Sequence, residues 1–132
     1  MAESGNKEEV MIEAVNLAQK LTLFQEYWSP KVVGELNDNY LKVVKVQGEF
    51  VWHKHDEDDE LFLVLKGRLV IQLRDQDITL NEGDFLVVPK GVEHRPVADD
   101  EAHILLIEPK TVVNTGDATD ERKIAPEDLS RI

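Results

Sequence analysis

Residues 48–67 read GEFVWHKHDEDDELFLVLKG, and residues 83–94 read GDFLVVPKGVEH. Three of the chain's four histidines fall inside these two stretches. His53 and His55 are two residues apart, so on an extended strand both point to one face. Glu60 opens the next apolar run and shares its face with Phe62 and Val64. His94 follows a Pro89-x-Gly91 turn on a separate strand, so only closure of a sheet brings it to the other two. Three imidazoles and one carboxylate then make an N3O donor set, which suits divalent transition ions such as Fe, Mn, Ni or Zn. An octahedral ion held by four such ligands keeps two positions open for water or substrate. The expected metal ligands are His53, His55, Glu60 and His94. Asp58 has the same parity as Glu60 and is its rival. Asp56, Glu57 and Asp59 read as a solvated turn.

Outward from these stretches the pattern is short strands. Lys31–Leu36, Tyr40–Gln47, Leu61–Lys66, Arg68–Arg74, Ile78–Leu80, Phe85–Val88, Val92–Val97 and Ala102–Glu108 are separated by Asn, Asp and Gly turn clusters. Asn37-Asp38-Asn39 and Asp99-Asp100-Glu101 are read as turns, and Gly67 as a tight turn or bulge. Strands at this even spacing, with no helical periods between them, predict an antiparallel sandwich or small barrel. Phe62, Val64, Phe85 and Val87 are core candidates. Lys42 reads as solvated, with Tyr40 or Lys42 at a substrate as the alternative. Gln72 and Arg74 lie either at a pocket mouth or on an exposed face. His103 reads as structural.

Before the strands, residues 1–10 read as a disordered leader without a signal-peptide core, and Met11 is an alternative start. Ile12–Val15 is a candidate edge strand. Asn16 is a candidate N-cap for a short helix through about Gln25, with Trp28 as a packing anchor before Pro30. Residues 111–132 form a tail with Asn-Thr-Gly-Asp turn chemistry and no strong period. The domain plan is therefore leader 1–10, strand and short helix 11–30, barrel 31–110 and tail 111–132.

The 132 residues contain no cysteine and carry a net charge of -12. Disulfides, cysteine-based zinc sites and thiol nucleophiles are excluded, and a reducing cytoplasm fits. The negative field disfavours nucleic acid and anionic membrane surfaces. No phosphate loop or dinucleotide fingerprint occurs.

The two motifs resemble those of the cupin superfamily. The family pattern has glycine, five residues, His-x-His, three or four residues, glutamate, six residues and glycine. Its second part has glycine, five residues, Pro-x-Gly, two residues, histidine, three residues and asparagine. Here the gap from Gly48 to His53 is one residue shorter, and Ala98 stands where asparagine is common. The chain looks like the small single-domain cupins labelled mannose-6-phosphate-isomerase-like. The resemblance implies an all-β, double-stranded β-helix (jelly-roll barrel) with a short N-terminal helix. It implies metal ligation by His53, His55, Glu60 and His94. It implies a homodimer, with Ile12–Val15 as the exchanged strand, and residues 114–117 wrapped over the barrel. Two functions follow as expectations. One is a metal-dependent enzyme, dioxygenase or isomerase, acting on a small polar molecule. The other is a non-enzymatic ligand- or metal-binding module.

Overall fold

The computed structural model describes residues 12–132, so the expected leader, residues 1–10, and Met11 lie outside the described residues. Its strands are β1 (Lys31–Leu36), β2 (Asn39–Glu49), β3 (Glu60–Lys66), β4 (Leu69–Leu73), β5 (Asp77–Leu80), β6 (Phe85–Val88), β7 (His94–Pro109) and β8 (Ser130–Arg131). One short helix, α1 (Leu17–Lys20), precedes them. The strands form a jelly-roll barrel of the double-stranded β-helix type, as the motifs imply.

Strand β7 is its spine. One edge pairs antiparallel with β2 from Asn39↔Pro109 to Glu49↔Val97. The other edge takes two partners in turn, β4 along His94–Val97 and β3 along His103–Ile107. Asp99-Asp100-Glu101 is therefore no turn, contrary to the sequence reading. The three acids sit, exposed, where β7 passes from β4 to β3, so their charges meet water without breaking the ladder. A register shift between Val46 and Gly48 on β2 absorbs the bend.

Alternation along each strand sorts the side chains. Val44, Val46, Phe62, Val64, Leu69, Ile71, Ile104 and Leu106 fill the barrel. Val43 and Leu105, one step out of phase, face outward and pack under Leu21 and Phe24 of the N-terminal segment. The same rule overturns one expectation: Phe85 and Val87 are 63% and 42% exposed. The β3–β6 register sets Leu86 opposite Phe62 and Val88 opposite Glu60, so those residues take the inward face. Lys42 is likewise corrected. It shares the inward phase of Val44 and Val46 and is fully buried.

Turn chemistry matches its positions. Asn37 adopts φ 54° in the two-residue β1–β2 turn, a conformation Asn tolerates. Gly67 takes φ 84° between β3 and β4, where an added Cβ would lie 3.0 Å from the Glu101 carbonyl oxygen.

The N-terminal expectation is partly corrected. Asn16 caps α1 as expected, accepting from Gln19 N–H at 2.8 Å. The helix is one turn plus a 3-10 segment, Leu21–Leu23, because Phe24 turns extended. Ile12–Val15 is no strand in the single chain: it has no ladder partner, and Ile12 is 95% exposed. Trp28 anchors this segment, donating from its backbone N–H to Lys45 O and from Nε1 to Gln47 O, and stacking on Phe50 at 4.9 Å. The tail ends in β8, a parallel partner of β1 that no sequence period announces. Among the described residues, no helix is long and apolar enough to cross a membrane.

Candidate metal centre

Beyond β2 the chain stays extended, and His53 meets the first residue of β7. His53 N–H donates to His94 O at 3.0 Å, and His94 N–H returns the bond to His53 O at 2.9 Å. This reciprocal pair sets the two imidazoles side by side, with ring centroids 4.4 Å apart. His55 follows on the same face, its carbonyl accepting from Gly91 N–H at 2.8 Å. The Pro89–Gly91 turn is held in place by Asp59, which accepts from Lys90 N–H at 2.9 Å. Glu60 enters from β3, inside the barrel. The segment bearing His53 and His55 bridges to β7 and not to β3, so Glu60 reaches His55 across the interior.

Glu60 Oε1 lies 3.3 Å from His55 Nε2 and 3.2 Å from His94 Nε2. One donor atom from each of His53, His55, Glu60 and His94 falls within 4.8 Å of the other three, and all four residues are buried. The rival Asp58 is half-buried and stands outside this group. Asp56 pairs with Lys54, as a solvated turn would. His103 bonds to Glu101 away from the centre. Gln72 and Arg74 belong to the outer surface, where Gln72 accepts from Arg95 and Arg74 lies over the Trp52 ring.

The ring tautomers suit a cation. Nδ1 of His53 lies 2.8 Å from Val51 O, and Nδ1 of His94 lies 3.0 Å from Val92 O. A proton on each Nδ1, donated to these carbonyls, leaves each Nε2 lone pair turned to the centre. His55 Nε2 is buried without any hydrogen-bond partner, because its approach to Glu60 lacks hydrogen-bond geometry. An orphaned buried nitrogen is costly, and a cation accepting its lone pair removes the cost. The four residues thus fit a divalent transition ion, which when bound would supply Lewis-acid polarisation of a ligand oxygen.

Without a cation the clustered groups bias one another's protonation. Burial and the neighbouring His94 hold the His53 imidazolium down to about 4. Burial also depresses His94, but the hydrogen bond and charge of Glu60 outweigh it and raise its pKa. Burial works against ionised Glu60, yet its close approaches to the His55 and His94 imidazoles hold it well below the usual carboxylate range. Behind Glu60 lies a pair that residue-type reasoning missed. Lys42 Nζ donates to Glu108 Oε2 at 2.7 Å, with both side chains buried. Burial and the Glu60 charge push the Glu108 carboxyl well above its usual range, and Lys42 opposes this only in part.

A small cavity of about 40 Å³ adjoins His53 and Glu60. Trp28, Phe50, Phe62, Pro96 and Leu106 are among its walls. Asn114 also lines it, but its amide is engaged, donating to Arg122 O and accepting from Ile124 N–H. The tail closes one side. Arg122 lies over the Phe50 ring, and Asp117 clasps Lys54, accepting from its N–H and donating to its carbonyl. Gly116 between them has φ 55°, and a Cβ there would overlap the Lys54 carbonyl oxygen and come 3.0 Å from His53 Cδ2. Its Asn-Thr-Gly-Asp context was legible as a turn; that the turn docks beside His53 was not.

A cupin domain family model matches residues 40–109. A crystal structure of a cupin-2 domain protein from Shewanella frigidimarina is 53% identical, with TM-score 0.72, covering 72% of this chain and 93% of that one. An uncharacterized Bacillus subtilis protein, YdbB, is 41% identical over 64 residues, 48% of this chain and 57% of YdbB. An acireductone dioxygenase from Phaeosphaeria nodorum is 30% identical over 112 residues, 76% of this chain and 61% of that enzyme. The chain thus spans less than two thirds of either of the latter two proteins.

Two outcomes follow from this geometry. Gly116→Ala should lower the melting temperature more than Gly83→Ala, which shares the positive φ but has nothing within 4 Å of its Cβ. It should also weaken divalent metal binding by about tenfold, through displaced His53; equal effects of the two substitutions would contradict the packing described. The second concerns acid. An unfolded histidine titrates near 6.5 and native His53 near 4, so the unfolded state takes up a proton that the native state refuses. Stability present above pH 6.5 should therefore fall, in metal-free protein, as the pH drops toward 4. The loss is roughly 3 kcal/mol. His94, with its raised pKa, contributes in the opposite sense, losing stabilisation as pH rises through that pKa. Denaturant titrations of wild type and His53→Asn across this range isolate the His53 share; a pH-independent difference between them would refute it.

Proposed function

The chain belongs to the cupin domain family, and on that footing we propose that it is a metal-dependent enzyme of the dioxygenase class acting on a small oxygen-bearing molecule. The observation that carries this reading is the convergence of His53, His55, Glu60 and His94 around an orphaned His55 Nε2. The likeness to an acireductone dioxygenase over 112 residues supports the reaction class. His53 and His94 are held in one tautomer by backbone carbonyls, Glu60 supplies the compensating negative charge, and the apolar cavity excludes water from one side. The substrate expected from these walls carries oxygen at one end, toward the cluster, and an apolar remainder. The cysteine-free composition supports the cytoplasm as its compartment.

A second reading, a non-enzymatic ligand-binding cupin, is favoured by one feature. Beyond the cluster the cavity offers no uncommitted acid or base, since the Asn114 amide is engaged. Oxygen uptake by metal-loaded protein, across a panel of small enediols, diketones and hydroxy acids, separates the two. Uptake with any of them supports the enzyme, and tight binding of a panel member without turnover supports the module.

We further infer a homodimer across the outer face of β6, β3 and β7. Phe85 and Val87 stand exposed there, opposite Leu63 and Leu61, with Ile107 continuing the apolar row. Exposed apolar patches of this kind mark association surfaces.

Two measurements check these inferences. Elemental analysis of purified wild type should find one transition metal ion per chain. His94→Ala should lose it while the far-ultraviolet circular dichroism keeps its strand signature; unchanged occupancy would sink the four-ligand site. In light scattering, wild type should run as a dimer and Phe85→Glu as a monomer, whereas a monomeric wild type would remove the interface.

A further inference from the structure

Lys42 on β2 and Glu108 on β7 point into the barrel, in phase with Val44, Val46, Ile104 and Leu106. Every one of those neighbours is apolar. Within them, Lys42 and Glu108 are 0% and 1% exposed and joined at 2.7 Å. Burying two charges is expensive, and apolar residues of the same volume commonly serve the fold as well or better. Stability therefore does not account for this pair. Its surroundings do. Glu108 Oε2 is fixed by Lys42, while Oε1 has no hydrogen-bond partner. The β3–β7 register, Leu61↔Ile107 and Phe62↔Leu106, continues by one step to set Glu60 beside Glu108, and both side chains are buried. Glu60, for its part, turns Oε1 to His55 and His94.

We propose that the Lys42–Glu108 pair is the positioning element of the metal centre: Glu108, anchored by Lys42 through Oε2, stands beside Glu60 and holds the Glu60 Oε1 toward the histidines. The pair is out of reach of solvent and so acts through Glu60 and not on the substrate. Ligand-supporting groups of this kind govern metal affinity by about 10–100-fold when removed. The inference rests on the metal-binding reading above and adds what sets the strength of that site.

The test uses the full chain, with cobalt(II) as the probe. The double substitution Lys42→Met/Glu108→Leu replaces the pair by apolar volume and should keep or raise the melting temperature. It should weaken cobalt binding at least about tenfold in competition with a chelator, and shift the cobalt visible absorption bands. Glu108→Gln, which keeps an acceptor for Lys42 and a polar group facing Glu60, should bind cobalt closer to wild type than the double variant does. Cobalt affinity within about twofold of wild type in the folded double variant, with unchanged bands, overturns the proposal. A double variant that cannot fold also overturns it, in favour of a structural pair. Wild type that binds no cobalt removes the metal reading itself, an outcome distinct from the other two.

Discussion

The reciprocal hydrogen bonds between His53 and His94 are the contact on which the rest of the centre depends. They join a segment that has already left β2 to the first residue of β7, and so draw the barrel shut at one end. Because the bond runs through the backbone, ring placement follows from the ladder and not from side-chain freedom. Once His53 and His94 are opposed, His55 is placed by its two-residue step and Glu60 by the phase of β3. Backbone carbonyls at Val51 and Val92 then choose the tautomers. A mobile surface cluster of the same four residue types would have none of these constraints.

The chain's net charge of -12 takes on a local meaning at this centre. Most acids lie on the surface, where they serve turns, as Asp59 does for Lys90, or solvation, as Asp99 and Asp100 do. Among the described residues, Glu60 and Glu108 are the only acids carried into the barrel, and both are raised in energy by burial. Each is answered by a nearby cationic or hydrogen-bonding group: imidazoles for Glu60, Lys42 for Glu108. The interior thus concentrates its charge in one small region beside an otherwise apolar cavity.

What the sequence made legible was whatever depends on short spacing. His53 and His55 are two apart, Glu60 has the phase of Phe62, and the Pro89–Gly91 turn precedes His94; each could be read from neighbours, and the structure brings the four together. What depends on pairing over distance could not. Residue type alone puts Lys42 in solvent, although its phase with Val44 and Val46 points inward; its partner lies 66 residues away. Hydrophobicity alone puts Phe85 and Val87 in the core, but the β3–β6 register decides which face they take. The acids at 99–101 carry turn composition, yet β7 runs through them because it exchanges one partner for another there. The tail has no period because β8 is two residues long and is held by β1 alone.

The two-partnered spine has a kinetic consequence. β7 pairs with strands whose residues lie tens of positions earlier in the chain, so little of it can form from local contacts. Barrels dominated by such non-local pairings fold slowly, because loop-closure entropy is spent before the contacts return it. His94 is the first residue of that strand, and its partners wait on β7 for assembly. The donor set therefore comes into being among the last events of folding. An ion that binds it selects finished molecules from the folding population and draws the equilibrium toward them by mass action.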